Sequence, residues 1–321
     1  MDYNRIRAAN DRLMGHKRVT PLLSSPFLDD IAGKRVFVKP ECLQHTGSFK
    51  YRGAFSAVSA LPDETRAKGV IAFSSGNHAQ GVALAARQHG ISSVIIMPAD
   101  APKTKIDNTR ALGAEVVLYD REHEDRDEIG ARISQERDLT LIKPFDEPEV
   151  IAGQGTCGLE IAQQAAELGI KDADVLVCCG GGGLTSGIAL ALEQDAPNMR
   201  VRPVEPEGFD DVCRSLISGQ IERNPTTLGS LCDAIVTLSP GQLTFPIMQR
   251  LCHAGITVTE EQALHAMQLA HDRLKITIEP GGAVALAAAL VYGDQASSDC
   301  VIAVASGGNV DRDVFERALT A

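Results

Sequence analysis

A lysine stands at the start of a predicted helix, within Thr46-Gly47-Ser48-Phe49-Lys50-Tyr51-Arg52-Gly53. A turn that contains glycine precedes it and an apolar run follows, which is unlike an ordinary solvated helix face. The positive partial charge of a helix N-terminus disfavours an ammonium group and favours the neutral amine that attacks a carbonyl carbon. Lys50 is therefore a candidate for Schiff-base chemistry. A surface lysine before a helix is the alternative.

Four consecutive glycines, Gly180 to Gly183, follow a predicted buried strand and precede a predicted helix that begins near Leu184. A strand, a glycine turn and a helix start together point free backbone N–H groups at a phosphate. Because glycine loses much backbone entropy on folding, four in a row are rare in a plain tight turn. We interpret the segment as a phosphate-binding loop. It lacks the Gly-Lys-Ser/Thr ending of nucleoside triphosphatases.

A second glycine pattern, Gly153-Gln154-Gly155-Thr156-Cys157-Gly158, has the Gly-x-Gly-x-x-Gly spacing of dinucleotide-binding proteins. It follows a predicted loop, Glu147 to Val150, instead of a buried strand. Asp172 and Asp174 precede the next predicted strand, whereas a ribose-binding acid lies at the C-terminal end of that strand. An NAD-dependent dehydrogenase is therefore only a remote alternative.

Two further turns rich in small polar residues follow predicted strands. Ser74-Ser75-Gly76-Asn77-His78 begins a helix, and its polar groups suit a substrate carboxylate, although a simple N-cap explains the pattern equally well. Ser306-Gly307-Gly308-Asn309 ends the last predicted strand. If the strands form open parallel sheets, these turns, the glycine loop and Lys50 face one crevice.

Short apolar strands alternate with helices, which predicts an α/β fold with two open, mainly parallel twisted sheets flanked by helices. We predict a small inserted domain at residues 69–147 and a large domain formed by residues 1–68 and 148–321. The predicted strands of the large domain include Ala234 to Leu238. Thr259 and Gln262 predict a capping box at a helix start.

The composition argues against several classes of partner. The formal net charge is −11 and no basic run occurs, so a nucleic-acid partner is not expected. The sequence has no apolar stretch long enough to span a bilayer and no signal core, which predicts no membrane partner and a cytoplasmic location. The eight cysteines lack Cys-x-x-Cys spacing, and we interpret them as reduced core residues.

Four ordered motifs together resemble the serine/threonine dehydratase and serine racemase family of fold type II pyridoxal-phosphate (PLP) enzymes. They are Ser48-Phe49-Lys50-x-Arg52-Gly53, Ser74-Ser75-Gly76-Asn77-His78-Ala79-Gln80-Gly81, the glycine loop and Ser306-Gly307-Gly308-Asn309. The motifs are nearest to the branch that contains serine racemase and threo-3-hydroxyaspartate dehydratase. The resemblance implies a tryptophan synthase β-like fold whose large domain binds PLP.

The resemblance also implies roles for individual residues. Lys50 would carry PLP as an imine, and Phe49 would pack near the ring, although a core role for Phe49 is an equal alternative. Asn77 would bond the phenolic oxygen, Ser306 the pyridine nitrogen, and Glu279 would be a further cofactor-binding residue. Because a serine hydroxyl does not stabilise a protonated pyridine, the ring would be a weaker electron sink, which suits β-elimination. The phosphate would be held by Gly180, Gly181, Gly182, Gly183 and Leu184.

The reaction implied by the resemblance is an ammonia-lyase reaction. A β-hydroxy-α-amino acid such as L-serine, L-threonine or L-threo-3-hydroxyaspartate would lose water to give an aminoacrylate, which would then be hydrolysed to a keto acid and ammonia. Lys50 would remove the Cα proton as general base. The turn Ser74-Ser75-Gly76-Asn77-His78 would bind the α-carboxylate. Ser75 would either bond that carboxylate or act as an acid/base on the opposite face, so an amino-acid racemase is the alternative.

The resemblance further implies a divalent-cation loop, a substrate side-chain pocket and a homodimer. The carboxylates of Glu205 and Asp211 and the Phe209 carbonyl would bind Mg²⁺ or Ca²⁺, with a solvated acidic loop as the alternative. Arg126 and Ser239 fall near the residues that would bind a second substrate carboxylate. For Arg126, a surface ion pair on a charged helix is the alternative.

Overall fold

A computed structural model of the chain describes residues 1–74, 76–101, 103–120, 122–293 and 296–320. These residues form two separate sheets flanked by helices, so the predicted α/β fold class with two mainly parallel sheets is confirmed. In the described ranges, no helix is both long enough and apolar enough to cross a bilayer.

The strands are short, as expected for apolar runs bounded by turns. In chain order they are β1 (Leu23–Ser24), β2 (Arg35–Pro40), β3 (Val70–Phe73), β4 (Ser93–Pro98), β5 (Glu115–Tyr119), β6 (Thr140–Leu141), β7 (Ala173–Cys178), β8 (Met199–Pro206), β9 (Ile256–Val258) and β10 (Cys300–Ala305).

The helices separate most of the strands along the chain. They are α1 (Tyr3–Leu13), α2 (Pro26–Ala32), α3 (Lys50–Ala60), α4 (Asp63–Arg66), α5 (Asn77–Gln88), α6 (Lys103–Ala111), α7 (Arg126–Arg137), α8 (Pro148–Glu167), α9 (Gly183–Asp195), α10 (Asp211–Ser218), α11 (Thr244–Leu251), α12 (Glu260–Leu269), α13 (Pro280–Val291) and α14 (Arg312–Leu319). The predicted capping box of α12 is confirmed, since Thr259 and Gln262 bond each other's backbone N–H groups.

The larger sheet has the strand order β1-β2-β10-β7-β8-β9, and only β1 runs antiparallel to its neighbour. Parallel pairing places Ala305 opposite Pro40 and Val304 opposite Val177. The carboxyl ends of β2, β10 and β7 therefore lie at one edge of the sheet, where ligands of such sheets bind.

The smaller sheet has the order β5-β4-β3-β6 with parallel pairs throughout. All four of its strands fall between Val70 and Leu141, inside the segment predicted as a small domain. The helix α3 packs on α5, which lies between two strands of the smaller sheet along the chain, and on α8, which precedes β7 of the larger sheet. The domain boundaries near residues 69 and 147 stay a prediction.

The strands near β8 differ from the sequence prediction. Ala234 to Leu238 forms turns and bends, not a strand, and the Ile235 carbonyl lies against Gly180. The edge position beside β8 is taken by β9, whose Ile256 and Val258 are buried. A loop pressed against the core and an edge strand both bury alternate apolar side chains, so the pattern does not distinguish them.

The Gly-x-Gly-x-x-Gly pattern lies in the middle of α8, which begins at Pro148 where the sequence suggested a loop. Inside a helix the backbone N–H groups are bonded to carbonyls of the preceding turn and are not free to bind a pyrophosphate. The pattern therefore gives no support to an NAD-dependent dehydrogenase.

Candidate active site

Lys50 is the first residue of α3, and the segment before it is tied to the end of β10. The Phe49 N–H donates to the Ser306 carbonyl, with an N···O distance of 3.1 Å. In the preceding turn Thr46 has a φ of 59°, and the Asn309 side-chain amide donates to its carbonyl at 2.8 Å. The Lys50 motif and the Ser306 motif, far apart in sequence, thus form one structural unit.

The Lys50 amine faces the interior of the site. Its Nζ donates a hydrogen bond of 2.8 Å to the Pro144 carbonyl. Burial lowers the pKa of Lys50 from 10.5 to about 8, while the negative charge of Glu279 acts in the opposite direction. Burial, not the helix N-terminus on which the sequence prediction relied, is the largest cause. A larger neutral fraction than that of an ordinary lysine follows near neutral pH.

The glycine loop joins β7 to α9 beside this amine. Gly180 to Gly183, together with Leu184 and Lys50, line a cavity of about 50 Å³. A Cβ built on Gly181 would lie 2.3 Å from the Phe145 ring, so a larger residue there would have to displace Phe145. The first N–H groups of a helix have no partner within it. The start of α9 can therefore bind an anion in this cavity.

A buried hydroxyl beside the loop has no partner. Thr237 Oγ1 makes no hydrogen bond within the described part of the chain, although it is shielded from solvent. Buried polar groups are normally satisfied, so an unpaired one next to a cavity indicates room for a bound polar group. Thr237 contributes to this cavity and to a second one that adjoins it.

The second cavity has a volume of about 220 Å³ and opens from Lys50 toward the smaller sheet. The loop between β3 and α5, predicted to bind a carboxylate, forms one wall. Ser75, the residue on which the racemase alternative depends, lies outside the described residues. The described residues of this loop that line the cavity are Ser74, Gly76, Asn77 and His78.

His78 is buried and held by its neighbours. Its Nε2 lies 2.9 Å from the Ile142 carbonyl, and a carbonyl only accepts, so this nitrogen carries the proton. Burial, followed by the charge of Lys50, lowers the pKa of His78 to about 3. The ring is therefore neutral at physiological pH. Its Nδ1 has no partner among the described residues and is a hydrogen-bond acceptor.

Asn77 is fixed by two side chains from distant parts of the sequence. Its Nδ2 donates to Glu279 Oε1 at 2.6 Å, and its Oδ1 accepts from Asn309 Nδ2 at 2.6 Å. Burial raises the pKa of Glu279 to about 7. Both hydrogen bonds set the orientation of the amide at the cavity wall.

Phe49 and Ser306 have different surroundings. Phe49 lines the cavity of the glycine loop, and its ring centroid lies 5.2 Å from Lys50 Nζ. Ser306 is buried at the end of β10 and lines neither cavity, and its side chain interacts with the Cys178 thiol. The predicted bond from Ser306 to a pyridine nitrogen stays a prediction.

This geometry agrees with a family match over most of the chain. The model of the family described as pyridoxal-phosphate dependent enzyme matches residues 13–307. The chain belongs to this family. The family resemblance inferred from the motifs is thereby confirmed, and so is the PLP-dependent class of enzyme.

Curated and solved relatives narrow the comparison within the PLP-dependent enzymes. An L-threo-3-hydroxyaspartate ammonia-lyase from Pseudomonas sp. is 41% identical over 99% of this chain and 98% of its own length. A serine racemase from Arabidopsis thaliana is 39% identical over 95% and 92%. A structure of maize serine racemase has a TM-score of 0.92 and 36% identity, and the match covers 99% of this chain and 97% of the maize chain. The fold is that of these enzymes.

The predicted substrate side-chain pocket stays a prediction, and the structure separates its two residues. Arg126 lines the second cavity, but its side chain is 58% exposed and forms an ion pair with Asp127 at 3.9 Å. Ser239 lines neither cavity, whereas Thr237 lines both. Because residues 234–238 are not a regular strand, period-two alternation could not show which hydroxyl faces inward.

Sequence reasoning missed several residues of this PLP-dependent enzyme's cavities. They come from a charged helix, from the loop that carries Thr237 and from the loop before α8, segments without a recognisable motif. The one available signal was the predicted domain boundary near residue 147, and it applied only to Phe145. The missed residues include Lys105, Phe145, Asp233 and Thr237.

The predicted metal ligands lie at the carboxyl end of β8 and the start of α10. Glu205 accepts hydrogen bonds from the Val212 N–H at 2.9 Å and the Cys213 N–H at 2.6 Å. Asp211 Oδ1 accepts from Asn224 Nδ2 at 2.6 Å, while its Oδ2 is buried without a partner in the described residues. Burial raises the pKa of Glu205 to about 8 and that of Asp211 to about 7. The solvated acidic loop considered above does not describe these carboxylates, since both are buried.

Proposed function

We propose that the chain is a PLP-dependent ammonia-lyase, which converts a β-hydroxy-α-amino acid to a keto acid and ammonia by α,β-elimination. The main support is the position of Lys50, whose amine lies where the glycine-loop cavity meets the cavity of Ser74 and Asn77. An amine with a pKa of about 8 is available both to bond a carbonyl and to take a proton. The similarity to an ammonia-lyase over nearly the whole chain supports the reaction class.

The residues around Lys50 fit PLP. The glycine loop and the start of α9 would hold its phosphate, and the unpaired Thr237 hydroxyl could complete that site. Asn77, fixed by Glu279, would face the phenolic oxygen. Ser306 remains the proposed partner of the ring nitrogen. When bound, PLP withdraws electrons from the substrate Cα, which acidifies the Cα proton.

The chain's own groups would then orient the substrate and move its proton. The N–H groups at the start of α5 would bind the α-carboxylate, with the Asn77 amide beside them. Lys50 Nζ would take the Cα proton and, as an ammonium, could return a proton to the β-hydroxyl, which would leave as water when the Cβ–O bond breaks. His78, neutral because its pKa is lowered to about 3, can accept a hydrogen bond at Nδ1 but cannot supply a proton near pH 7.

The test measures the visible absorbance of the protein, the site of the pyridoxyl label and the release of keto acid. PLP-loaded protein should absorb in the visible range and release keto acid from L-serine or L-threo-3-hydroxyaspartate. Borohydride reduction and peptide mapping should place the pyridoxyl group on Lys50. Lys50→Ala should abolish the pyridoxyl label and the keto-acid release. Substitution of Lys103, an exposed lysine of α6, by Ala should preserve both. A label on another lysine, or no keto acid from any β-hydroxy amino acid, would refute the proposal.

Racemisation is the second candidate activity. It is supported by the similarity to serine racemases, which matches the similarity to the ammonia-lyase in extent. Ser75 would be the acid/base on the far face of the substrate. Keto-acid release and D-isomer formation should be measured from the same L-substrate. A D-isomer yield above the keto-acid yield would make the racemase the main activity.

We also propose that Glu205, Asp211 and the Phe209 carbonyl bind Mg²⁺ or Ca²⁺. The donor set fits a hard cation, because both carboxylates are buried, the charge of Asp211 adds to burial in raising the pKa of Glu205, and one Asp211 oxygen is unpaired among the described residues. A cation would neutralise that repulsion. Addition of Mg²⁺ or Ca²⁺ should raise the Tm of the wild type and not that of Asp211→Asn. An equal response of both proteins would contradict a site at Asp211.

Two further proposals concern assembly and location. We propose a homodimer because of the family resemblance. We propose a cytoplasmic location because the sequence shows no signal core and all eight cysteines are free. Sedimentation equilibrium should give twice the chain mass of 34.1 kDa. A mass of one chain at micromolar concentration would refute the dimer.

A further inference from the structure

Lys105 is a second enclosed lysine in the active-site cavity. It lies on α6, its side chain is 15% exposed, and it lines the same cavity as Lys50. Lys103, two residues earlier on the same helix, shows the usual behaviour of a charged helix residue. Its side chain is 85% exposed and pairs with Asp107 one turn away. The enclosure of Lys105 is therefore a property of its position and not of the helix.

The ion pair that compensates Lys105 is weak. Its Nζ lies 3.5 Å from Asp233 Oδ2, longer than a direct hydrogen bond, and the Asp233 side chain is 68% exposed. A solvated carboxylate gains little from such a pair. The cation is thus enclosed while its counter-ion is largely in water. An anion that enters the cavity can replace Asp233 at small cost.

The charge of Lys105 also acts inside the cavity. Lys105 lowers the pKa of the buried Glu279, and Asp233 raises it, so both groups are electrostatically coupled to the carboxylate that fixes Asn77. Arg126 lines the same cavity, but its guanidinium is mostly in solvent, where water and salt screen its charge. Of the two cationic side chains, Lys105 of α6 and Arg126 of α7, Lys105 is the better placed to bind a substrate group.

We propose that Lys105 binds the second carboxylate of a dicarboxylic β-hydroxy-α-amino acid, of the 3-hydroxyaspartate class, in exchange for Asp233. This inference rests on the proposed function, since it names the substrate class of that same site. The α-carboxylate binds at the start of α5, and the second carboxylate binds the Lys105 ammonium. A substrate with an uncharged side chain leaves the Lys105–Asp233 pair in place. Lys105 is therefore a specificity-determining residue.

The kinetic test measures a ratio of specificities. In Lys105→Met, kcat/KM for L-threo-3-hydroxyaspartate divided by kcat/KM for L-serine should fall about 30-fold, as expected for loss of a charged hydrogen bond. Lys103→Met, the matched control on the exposed face of α6, should leave the ratio unchanged. Asp233→Asn should raise the ratio a few-fold, because it removes the competing carboxylate.

Two kinetic outcomes would overturn the inference. An equal loss for both substrates in Lys105→Met would show a general structural role. If the ratio of kcat/KM values fell in Arg126→Ala and not in Lys105→Met, the second carboxylate would bind Arg126 instead of Lys105.

A binding experiment separates this inference from the proposed function. Succinate and butyrate, which differ by one carboxylate, are titrated calorimetrically into the PLP-loaded protein. Wild type should prefer succinate and Lys105→Met should lose that preference. If no substrate gives keto acid but this pattern holds, the lyase assignment fails and the Lys105 inference stands. If wild type shows no preference for succinate, the inference fails even when the lyase reaction is confirmed.

Discussion

Two cationic side chains lie two residues apart in the first turn of α3, and their surroundings are opposite. Arg52 is 0% exposed and donates to the carboxylates of Glu41 and Glu160, which raise its pKa. Lys50 donates to a backbone carbonyl, and burial lowers its pKa to about 8. Arg52 therefore stays charged and stabilises the fold through its ion pairs. Lys50 is partly neutral, as its proposed role as a nucleophile and base requires.

The environment of Arg52 is a closed network of charges. Its Nε bonds Glu41 at 2.7 Å and its Nη1 bonds Glu160 at 2.8 Å, while Lys39 also bonds Glu160 at 2.8 Å. The Thr20 hydroxyl donates to Glu41 at 2.7 Å. Such a buried network offsets its desolvation cost only when every member is bonded, so removal of a single member costs more than the pair contributes.

The largest expected difference between the two cations is in catalysis. Lys50→Met should reduce keto-acid formation by at least about 10³-fold, because it removes both the covalent attachment and the base. The free energy of unfolding of the PLP-free protein should not fall, since a thioether in this place has no charge to desolvate. Steady-state kinetics and urea unfolding measure the two quantities. A large loss of stability would mean that Lys50 is also structural.

The converse substitution should reverse this pattern. Arg52→Met leaves Glu41 and Glu160 buried without their shared cation, and should reduce the free energy of unfolding by about 3–5 kcal/mol. Urea unfolding of the PLP-free protein is the measurement. Arg250→Met, which breaks the pair of a 56% exposed arginine with Glu193, is the control and should cost less than about 1 kcal/mol. Equal costs for the two variants would remove the distinction drawn between Lys50 and Arg52.

The sequence predicted Lys50 and not the role of Arg52, and the reason is the distance of their partners along the chain. Lys50 was recognisable because a turn, a helix start and an apolar run are its sequence neighbours. Arg52 bonds Glu160, 108 residues away, and Asn77 bonds Glu279, 202 residues away. The packing of α3 on α8 brings Arg52 to Glu160, and local sequence patterns do not show this packing.

Sequence neighbours also decided which glycine pattern and which cavity residues could be predicted. The loop at Gly180 was predicted because its strand and helix are adjacent in sequence, and the pattern at Gly153 was set aside because its context failed. Lys105 had no such context, since a lysine on a charged helix predicts a solvated side chain. Its enclosure depends on which face of α6 meets the cavity, which periodicity did not show.

A smaller effect is expected in the pH dependence of the free energy of unfolding, which also distinguishes Lys50 from Arg52. The pKa of Lys50 is near 10.5 in the unfolded chain and about 8 in the folded protein, so between these values the unfolded chain binds more protons. Burial of the charged amine costs on the order of 3 kcal/mol below about pH 8, and this cost disappears as the pH rises toward 10.5. The PLP-free wild type should therefore gain stability relative to Lys50→Met over this range.

Urea unfolding of both proteins from pH 7.5 to pH 10 measures this change, because other titrating groups cancel in the difference. Arg52 provides the contrast, since its pKa is raised and it stays charged throughout. The difference between Arg52→Met and wild type should show no rise of this kind. A difference between wild type and Lys50→Met that is constant with pH would show that the amine has an ordinary pKa.

The smallest effect is expected at Gly153, where α8 touches α3. A Cβ there would lie 2.4 Å from the Arg52 carbonyl oxygen, so Gly153→Ala must push the two helices apart. The expected loss is about 1–3 kcal/mol in urea unfolding, as for other overpacked sites. Gly281→Ala in α13, where the nearest contacts are 3.3 Å, should cost less.

Gly153→Ala also tests whether the two cations are independent. The shift would move Arg52 away from Glu160, which lies on α8, while Lys50 is anchored through Phe49 to Ser306, which follows β10. PLP affinity, measured by the visible absorbance, should therefore change less than stability. A parallel loss of both would show that the network of Arg52 also positions Lys50, because a rigid first turn of α3 would then transmit the displacement from one cation to the other.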